Sequence, residues 1–281
     1  MPLLYYWKPS NYYKDLDEGA SYNLNHSNPL LHGIEEEDSL WAFTRNLKGD
    51  YVLAAELVIK SKTFNKPDFK YGLYRVWGDL NTSRYFDVET QSSIETVLRS
   101  FNINAKAKHF GQSFQGYASV RKVEIAEHQM LAKISEKLSL EKRAVIVPDD
   151  RIENVMTTGD SGMVKEFLKK YETGISVKRK EYLIKNAPIR NRNLSKKLFE
   201  IYSGSCQICK WKPKEIYGVE ICETHHIQWI SRGGSDDLLN LVLICPNHHR
   251  AIHKCDAAFD YKSFSFNFNA RVEKLLLNKH L

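Results

Sequence analysis

Two short cysteine motifs stand in the last third of the sequence. Cys206 and Cys209 form a C-x2-C pair, and Cys245 and His248 form a C-x2-H pair. Each pair presents two ligands of the kind that zinc prefers, so two pairs together complete a tetrahedral site. The sequence therefore predicts a structural Zn²⁺ bound by these four residues, with Cys222 left open as a substitute ligand.

The residues after the second motif predict a helix with two different faces. Pro246 suits the first position of a helix. His249 and His253 are four residues apart, so they share one helix face and can bind one metal ion. His248 is turned about 100° from His249 on the same helix. Adjacent histidines are thus expected to serve two separate metal sites.

The segment between the motifs predicts two strands joined by a glycine turn. His225 and His226 stand in the first strand, Gly233 and Gly234 form the turn, and Asn240 precedes the second strand. The order is therefore strand, turn, strand, helix. Half of the ten histidines lie between residues 225 and 253, which favours a metal site over a set of unrelated core histidines.

Residues 206–253 resemble the HNH (ββα-metal) endonucleases that carry a cysteine-bearing zinc ribbon. The resemblance rests on an ordered series of motifs: C-x2-C, E-x-H-H-I, G-G-S, N-L, C-P-N-H-H and a final H. It implies hydrolysis of a phosphodiester with a catalytic divalent cation, Mg²⁺, Mn²⁺ or another, that leaves a 3′-hydroxyl.

The resemblance also implies roles for single residues. His226 matches the general base, for which a histidine suits neutral pH, and Asn240 matches the residue that braces the hairpin and orients the base. His225 and His249 match ligands of the catalytic cation, and His253 matches a ligand found in some members only. Because successive strand residues point to opposite faces, the roles of His225 and His226 remain exchangeable.

The net charge of +7 lies entirely in the second half of the chain. Residues 165–197 contain 11 basic residues and three acidic ones, which indicates either contact with a phosphate backbone or a solvated linker face. Near the histidines, Arg232 and Arg250 are candidate DNA contacts, although both are equally expected as ordinary solvent-facing charges.

The first half of the chain predicts a small barrel or a strongly bent sheet. Aromatic and β-branched runs at 39–44, 51–59 and 71–77 are typical of strands. Apolar residues at every fourth position predict an amphipathic helix within 121–140. Residues 141–193 read as a basic connector with one helix near 163–171, a short helix starts at Leu194, and a strand and a helix at 264–277 close the core or form a dimer seam.

The N-terminal sequence resembles the PUA-superfamily (EVE-like) barrels in Tyr5-Tyr6-Trp7 and in residues 32–43 and 51–56. The resemblance implies an aromatic pocket for an extruded modified base. Its candidate walls are Tyr6, Trp7, Trp41 and Trp77, each of which is also interpretable as barrel core.

The expected fold class is α+β. It comprises a PUA-like β-barrel reader at 1–140, a basic helical connector at 141–193 and an HNH domain with structural zinc at 194–281.

A PUA-like reader joined to an HNH nuclease resembles the modification-dependent (type IV) restriction endonucleases. The implied substrate is double-stranded DNA with a modified cytosine (methylated, hydroxymethylated or glucosylated) or a sulfur-modified backbone, and a homodimer would cut both strands. The alternatives are a sequence-specific or nicking HNH nuclease of a phage or mobile element, a zinc DNA-binding protein without catalysis, and cleavage of RNA.

The composition excludes several other classes. Hydrophobic residues make up 42% and charged residues 27% of the chain, as in globular proteins. The five cysteines are an odd number, which argues against a disulfide framework. No long apolar run and no secretory signal pattern is found, so we expect a cytoplasmic protein without a membrane partner.

Overall fold

The structure is a computed structural model that describes residues 1–146, 151–153, 155, 160–170 and 176–281, except for the side chains of 186–192. It contains two compact units. The first comprises residues 1–16 and 22–144, and the second comprises 17–21 and 145–281.

A mixed sheet of seven strands forms most of the first unit. Its strands are β1 Leu3–Tyr6, β2 Asn23–His26, β3 Ser39–Arg45, β4 Tyr51–Phe64, β5 Tyr74–Gly78, β6 Arg84–Tyr85 and β7 Val120–Lys122. The order is β2-β5-β4-β3-β1-β7, with β6 also paired to β4. The pair β1–β3 is parallel and the other pairs are antiparallel. The predicted strands at 39–44, 51–59 and 71–77 are present as β3, β4 and β5.

The sheet curls into a half-barrel. The long strand β4 pairs with β3 along its first part and with β5 along its second. Each pairing contains a register shift, an irregularity that bends a strand and increases its twist. As a result, the ring of His26 on β2 lies 6.3 Å from that of Tyr5 on β1, although three strands separate them in the sheet. His26 Nε2 also lies 2.7 Å from Ser119 Oγ, next to the other edge strand.

Three helices accompany this sheet: α1 Pro9–Glu18, α2 Glu95–Ser100 and α3 Ile125–Ser135. A capping box between Glu124 and Glu127 begins α3, which is the amphipathic helix predicted within 121–140. Leu131 of α3 joins a core that contains Trp41 and Phe43. The apolar side of the curled sheet is therefore closed within this unit.

Two helices of the second unit lie in the stretch predicted as a connector. They are α4 Ser161–Lys169 and α5 Val177–Tyr202. The first matches the helix predicted near 163–171, of which Tyr171 lies outside the described residues. The short helix predicted from Leu194 is the end of α5. Ile152, Leu183 and Ile230 pack in one buried cluster, so the connector stretch packs against the region of the histidines.

The remaining elements carry the cysteine and histidine motifs. They are α6 Pro213–Tyr217, β8 Glu223–His226, β9 Leu241–Ile244, α7 Pro246–Cys255, β10 Ala258–Asp260, β11 Ser265–Phe268 and β12 Arg271–Lys274. Strands β8 and β9 form an antiparallel hairpin, and β10, β11 and β12 form a second sheet.

Of the strand and helix predicted at 264–277, the strand is present as β11, but the prediction of a helix is wrong. Arg271–Lys274 is a strand, because it pairs with the edge of β11 in the register Phe266 to Glu273. Phe266 is fully buried in the core that it shares with β9 and α7. No helix in the described parts of the chain is long and apolar enough to span a membrane.

Candidate active site and metal centres

The two cysteine motifs meet in space. The ligand atoms of Cys206, Cys209, Cys245 and His248 all lie within 4.8 Å of one another. His248 Nδ1 is 3.1 Å from the Cys245 thiol and 3.6 Å from that of Cys206. In a tetrahedral zinc site the sulfur and nitrogen ligands stand roughly 3.5 Å apart, so the donor set fits Zn²⁺.

The environment of these ligands also suits a cation. His248 Nε2 faces a carboxylate oxygen of Glu273 at 3.0 Å, the kind of contact that orients a metal-binding histidine. Burial raises the pKa of the Cys206 and Cys245 thiols, and a bound cation would offset this by stabilising the thiolates. Cys222 lies outside the group, with its thiol 4.0 Å from the Trp211 carbonyl oxygen.

A second group of four metal-binding side chains contains His225, His249, His253 and Glu153. The Nε2 atoms of His249 and His253 are 3.1 Å apart. Glu153 Oε2 lies 3.0 Å from the first of these atoms, 3.3 Å from the second and 3.6 Å from His225 Nδ1. The structure thus brings the three predicted histidines together and adds a carboxylate that the sequence analysis did not identify.

His225 has the surroundings of a metal ligand. Its side chain is fully buried, and neither ring nitrogen has a hydrogen-bond partner among the described residues. Burial lowers its pKa to about 4 despite the nearby Glu153, which keeps the ring neutral. A buried polar group without a hydrogen bond destabilises the folded state. A divalent cation would give one of the two His225 ring nitrogens a partner.

The pKa values of Glu153 and His249 are shifted by their charged neighbours. Burial alone would raise the pKa of Glu153, but the neighbouring histidines, His225 first, hold it well below its usual range. Burial would lower the pKa of His249, yet Glu153 and Glu223 raise it. Glu223 lies 2.5 Å from His249 Nδ1, so it can orient the ring with Nε2 facing the group.

His226 lies beside this group and has carboxylates on both sides. Its ring is fully buried. Nδ1 is 2.6 Å from Glu153 Oε1, and Nε2 is 3.0 Å from Asp236 Oδ1. The ring can donate hydrogen bonds to both only when both nitrogens carry protons. His226 is thereby held between a carboxylate at the metal-binding group and a carboxylate behind it.

The adjacent histidines both reach Glu153 because β8 ends at His226. One oxygen of Glu153 faces His226 and the other faces His225, at 2.6 and 3.6 Å. The alternation of side chains along a strand therefore does not keep the two rings apart at this position.

Asn240 braces the loop that follows β8. Its side chain accepts a hydrogen bond from the amide of Gln228 and donates to the carbonyl oxygens of Gln228 and Ser235. Ser235 precedes Asp236, whose carboxylate faces His226. Asn240 therefore acts on the His226 ring through the placement of Asp236.

The glycine turn makes this placement feasible. Gly233 has a φ of +80°, which favours glycine. A Cβ atom at Gly234 would stand 1.9 Å from the Gln228 carbonyl oxygen. Only glycine therefore lets the loop close tightly enough for Asn240 to bridge its two sides.

Four carboxylates of the site received no role from the sequence. Glu223 lies within the E-x-H-H-I motif and Asp236 directly follows the G-G-S motif, so their spacing to the histidines is a usable signal. Glu153 and Glu273 lie outside them, and no local pattern marks either. Their roles depend on contacts between residues distant in sequence.

The structure corrects the DNA-contact role predicted for Arg232. This side chain is buried, forms an ion pair of 2.8 Å with Asp256 and lies over the Trp229 ring. Its charge is therefore used within the domain and does not face a ligand from solvent. Arg250 is exposed on α7, and its contact with DNA stays a prediction.

The first unit contains a cavity of about 730 Å³, of which Tyr6 is one wall. The cavity is lined by Tyr5, Tyr6, Lys8, Pro9, Asn11, His26, Arg45, Tyr51, His109, Gly111, Gln112, Phe114, Gln115, Gly116 and Ser119.

The three tryptophans predicted as pocket walls, Trp7, Trp41 and Trp77, are not among the residues that line this cavity. Trp41 and Trp77 are buried, with indole N–H groups that donate to His128 and Thr63. The indole N–H of Trp7 donates to Asp15, and its ring packs against the rings of Tyr12 and Tyr85. The rings of Trp41 and Trp77 belong to the interior of the sheet, where neighbouring side chains already contact them.

Comparison with known proteins identifies the C-terminal segment. Residues 206–254 match the family model described as HNH endonuclease. Anaredoxin from Nostoc sp. (strain PCC 7120 / SAG 25.82 / UTEX 2576) is 29% identical over 77 residues, which cover 27% of this chain and 93% of that protein.

Among solved structures, the Type IV phosphorothioation-dependent restriction endonuclease ScoMcrA aligns with 82% of this chain at 12% identity. The chain spans 46% of that enzyme, and the TM-score is 0.21, which is too low to indicate a shared fold. The family match carries the conclusion that the chain contains an HNH endonuclease domain.

Proposed function

We propose that this protein is a modification-dependent endonuclease that hydrolyses double-stranded DNA. The second unit is the nuclease, and the first unit selects the target by accepting a flipped, modified base. The observation that carries the proposal is the convergence of His225, His249 and His253 beside His226 within the HNH segment.

In this proposal the three histidines His225, His249 and His253 hold a catalytic divalent cation. When bound, a cation such as Mg²⁺ or Mn²⁺ supplies Lewis-acid polarisation of the scissile phosphate. Cys206, Cys209, Cys245 and His248 hold the structural zinc, supported by their spacing and by the contact of His248 with Glu273.

His226 is the general base. Asp236 accepts a hydrogen bond from Nε2–H and so holds the tautomer in which Nδ1 carries the lone pair. Nδ1 faces the metal-binding group, where it can take the proton from the attacking water. Asn240 is a positioning residue for Asp236, through its hydrogen bond to the Ser235 carbonyl oxygen.

The cavity of the first unit is the proposed reader site. Its volume of about 730 Å³ is within the usual range for small-molecule sites. Tyr6, Tyr51 and Phe114 offer aromatic surfaces, while His26 and Gln112 offer polar groups. A flipped base needs both stacking partners and hydrogen bonds to its edge. Lys8 and Arg45 supply positive charge for the neighbouring phosphates.

The test is cleavage with Mg²⁺ or Mn²⁺ of matched plasmids that are unmodified or carry methyl-, hydroxymethyl- or glucosylated cytosine or phosphorothioate linkages. We expect cutting of one modified plasmid alone. His226→Ala should reduce cleavage by about 10²- to 10⁴-fold, and Tyr6→Ala should remove the preference for the modification. Tyr71→Ala, an exposed aromatic residue outside the cavity, is the matched control.

The other outcomes separate the alternatives. Equal cutting of all plasmids at defined sites would indicate a sequence-specific or nicking nuclease and contradict the reader site. DNA binding without cutting by the zinc-loaded protein would indicate a binding protein that lacks catalysis. A strict monomer on gel filtration, with and without DNA, would contradict the homodimer that we propose for double-strand cleavage.

A further inference from the structure

We infer that Glu153 is a fourth ligand of the catalytic cation and that it comes from outside the HNH segment. The inference rests on the proposed function, since it requires that His225, His249 and His253 bind a cation. Glu153 lies upstream of the matched residues 206–254, in a helical stretch at 151–153. No motif of the HNH segment includes it.

The distances fit a ligand. With metal–ligand bonds of about 2.0–2.1 Å, adjacent ligand atoms stand roughly 2.8–3.0 Å apart in an octahedral site and roughly 3.3–3.4 Å apart in a tetrahedral one. Glu153 Oε2 is 3.0, 3.3 and 3.6 Å from the nearest nitrogens of His249, His253 and His225. These three separations are close to the values for adjacent ligands, so Oε2 stands where a fourth ligand atom belongs.

The two oxygens of the carboxylate have different partners. Oε1 accepts a hydrogen bond from the backbone amide of His226 at 3.1 Å and lies 2.6 Å from Nδ1, from which it can accept once Nδ1 has taken up a proton. Oε2 faces the three other histidines. Glu153 can therefore bind a cation through Oε2 while it holds the base through Oε1.

Burial and charge support the same assignment. The Glu153 side chain is 3% exposed, and a buried charge is costly unless it is paired or coordinates a metal. The ring nitrogens of His225, which have no hydrogen-bond partner among the described residues, lie in the same group. One cation among the four side chains would bind a nitrogen of His225 and balance the charge of Glu153.

The test is calorimetric titration of zinc-loaded full-length protein with Mn²⁺, a cation that oxygen and imidazole ligands accept more readily than thiolates do. We expect one site in the wild type and a Kd at least about tenfold weaker in Glu153→Gln, since even groups behind the ligands change affinity by about 10- to 100-fold. The introduced amide oxygen can still accept the hydrogen bond from the His226 backbone amide, so the position of the base is retained.

Three further variants complete the experiment. Glu166→Gln removes the same charge from an exposed position on α4 and should leave the Kd unchanged. Glu153→Asp keeps a carboxylate and should bind Mn²⁺ more tightly than Glu153→Gln does. An equal loss of Mn²⁺ affinity in both variants would indicate a packing effect and would overturn the assignment of Glu153 as a ligand. Circular dichroism and zinc content check the fold of each protein.

His249→Ala separates this inference from the proposed function. Weak binding in His249→Ala with wild-type affinity in Glu153→Gln would keep the three-histidine site and overturn the role of Glu153. Absence of a Mn²⁺ site in the wild type would overturn both.

Discussion

At the scale of single residues, two adjacent histidines have different surroundings, which match the separate roles proposed for them. His225 has no hydrogen-bond partner within the described residues, and burial lowers its pKa to about 4, which suits a metal ligand. His226 has carboxylate oxygens at both ring nitrogens, which suits a residue that takes up a proton and passes it on. These neighbours lie far from the two histidines in sequence or in separate motifs, so the local sequence does not reveal them.

Asp236→Asn tests the positioning of the proposed base. The amide side chain can donate to Nε2 and so favours the wrong tautomer of His226. We expect kcat for DNA cleavage to fall by about 10²- to 10⁴-fold, while KM and the Mn²⁺ Kd stay near those of the wild type. Asp237→Asn is the matched control, because Asp237 is the exposed neighbour that bonds to Ser235. An equal loss in both variants, or a loss confined to KM, would contradict the role.

At the scale of elements, the short helix α7 contributes histidines to both groups of side chains that could hold a metal ion. On α7, His248 turns toward the cysteines, whereas His249 and His253 turn toward Glu153. The rotation of about 100° per residue separates the two directions. The helical period was therefore enough to predict the division, and β8 and β9 then place His225 beside the same face.

A glutamine inside the first cysteine motif ties these elements together. Gln207 is fully buried. Its side chain accepts a hydrogen bond from the Leu243 amide on β9 and donates to the Leu277 carbonyl oxygen near the C-terminus. The side chain of Gln207 thus connects the loop of the first cysteine motif to the hairpin and to the C-terminal residues through hydrogen bonds.

Gln207→Ala should leave both backbone groups unpaired, at a cost of about 2–6 kcal/mol for the two. We expect the amides of β9 to exchange with deuterium at least about tenfold faster in zinc-loaded protein. Mass spectrometry of peptides that cover 241–244 measures this. Glu215→Ala, an exposed member of a surface ion pair, is the control. Unchanged protection of β9 would show that Gln207 does not hold the hairpin.

At the scale of the whole molecule, each unit has its own core. The buried cluster with Trp41 and Phe43 belongs to the first unit, and that with Phe259 and Phe266 belongs to the second. All members of both metal-binding groups lie in the second unit. Metal binding should therefore stabilise the two units unequally.

Removal of zinc tests whether metal binding stabilises the second unit more than the first. Structural zinc sites in small domains contribute about 10–16 kcal/mol of apparent binding free energy. After chelation of zinc, we expect peptides within 206–254 to lose protection from deuterium exchange, while those within 39–64 keep theirs. Readdition of Zn²⁺ should restore protection. Retained protection of 206–254 in zinc-free protein would contradict a structural role for the metal.

Much of this organisation was predictable because it depends on local spacing. Aromatic and β-branched runs indicated β3, β4 and β5, a period-four pattern indicated α3, and the ligand spacing indicated both cysteine motifs and the histidine helix. The C-terminal helix was wrong because pairing with β11 overrides local propensity in a four-residue segment. The burial of Trp41 and Trp77 was not predictable, because an aromatic residue has the same local sequence pattern in a core and in a pocket.

Local sequence was enough to identify the residues proposed to carry the chemistry of the HNH segment, since helix rotation and motif spacing are properties of a few neighbouring residues. Four features appear only in the folded chain: Glu153 joins the histidines, Asp236 stands behind His226, Arg232 is buried, and the cavity forms around Tyr6 and His26. These outcomes depend on packing between segments far apart in the chain, and no local pattern encodes which distant side chains will meet.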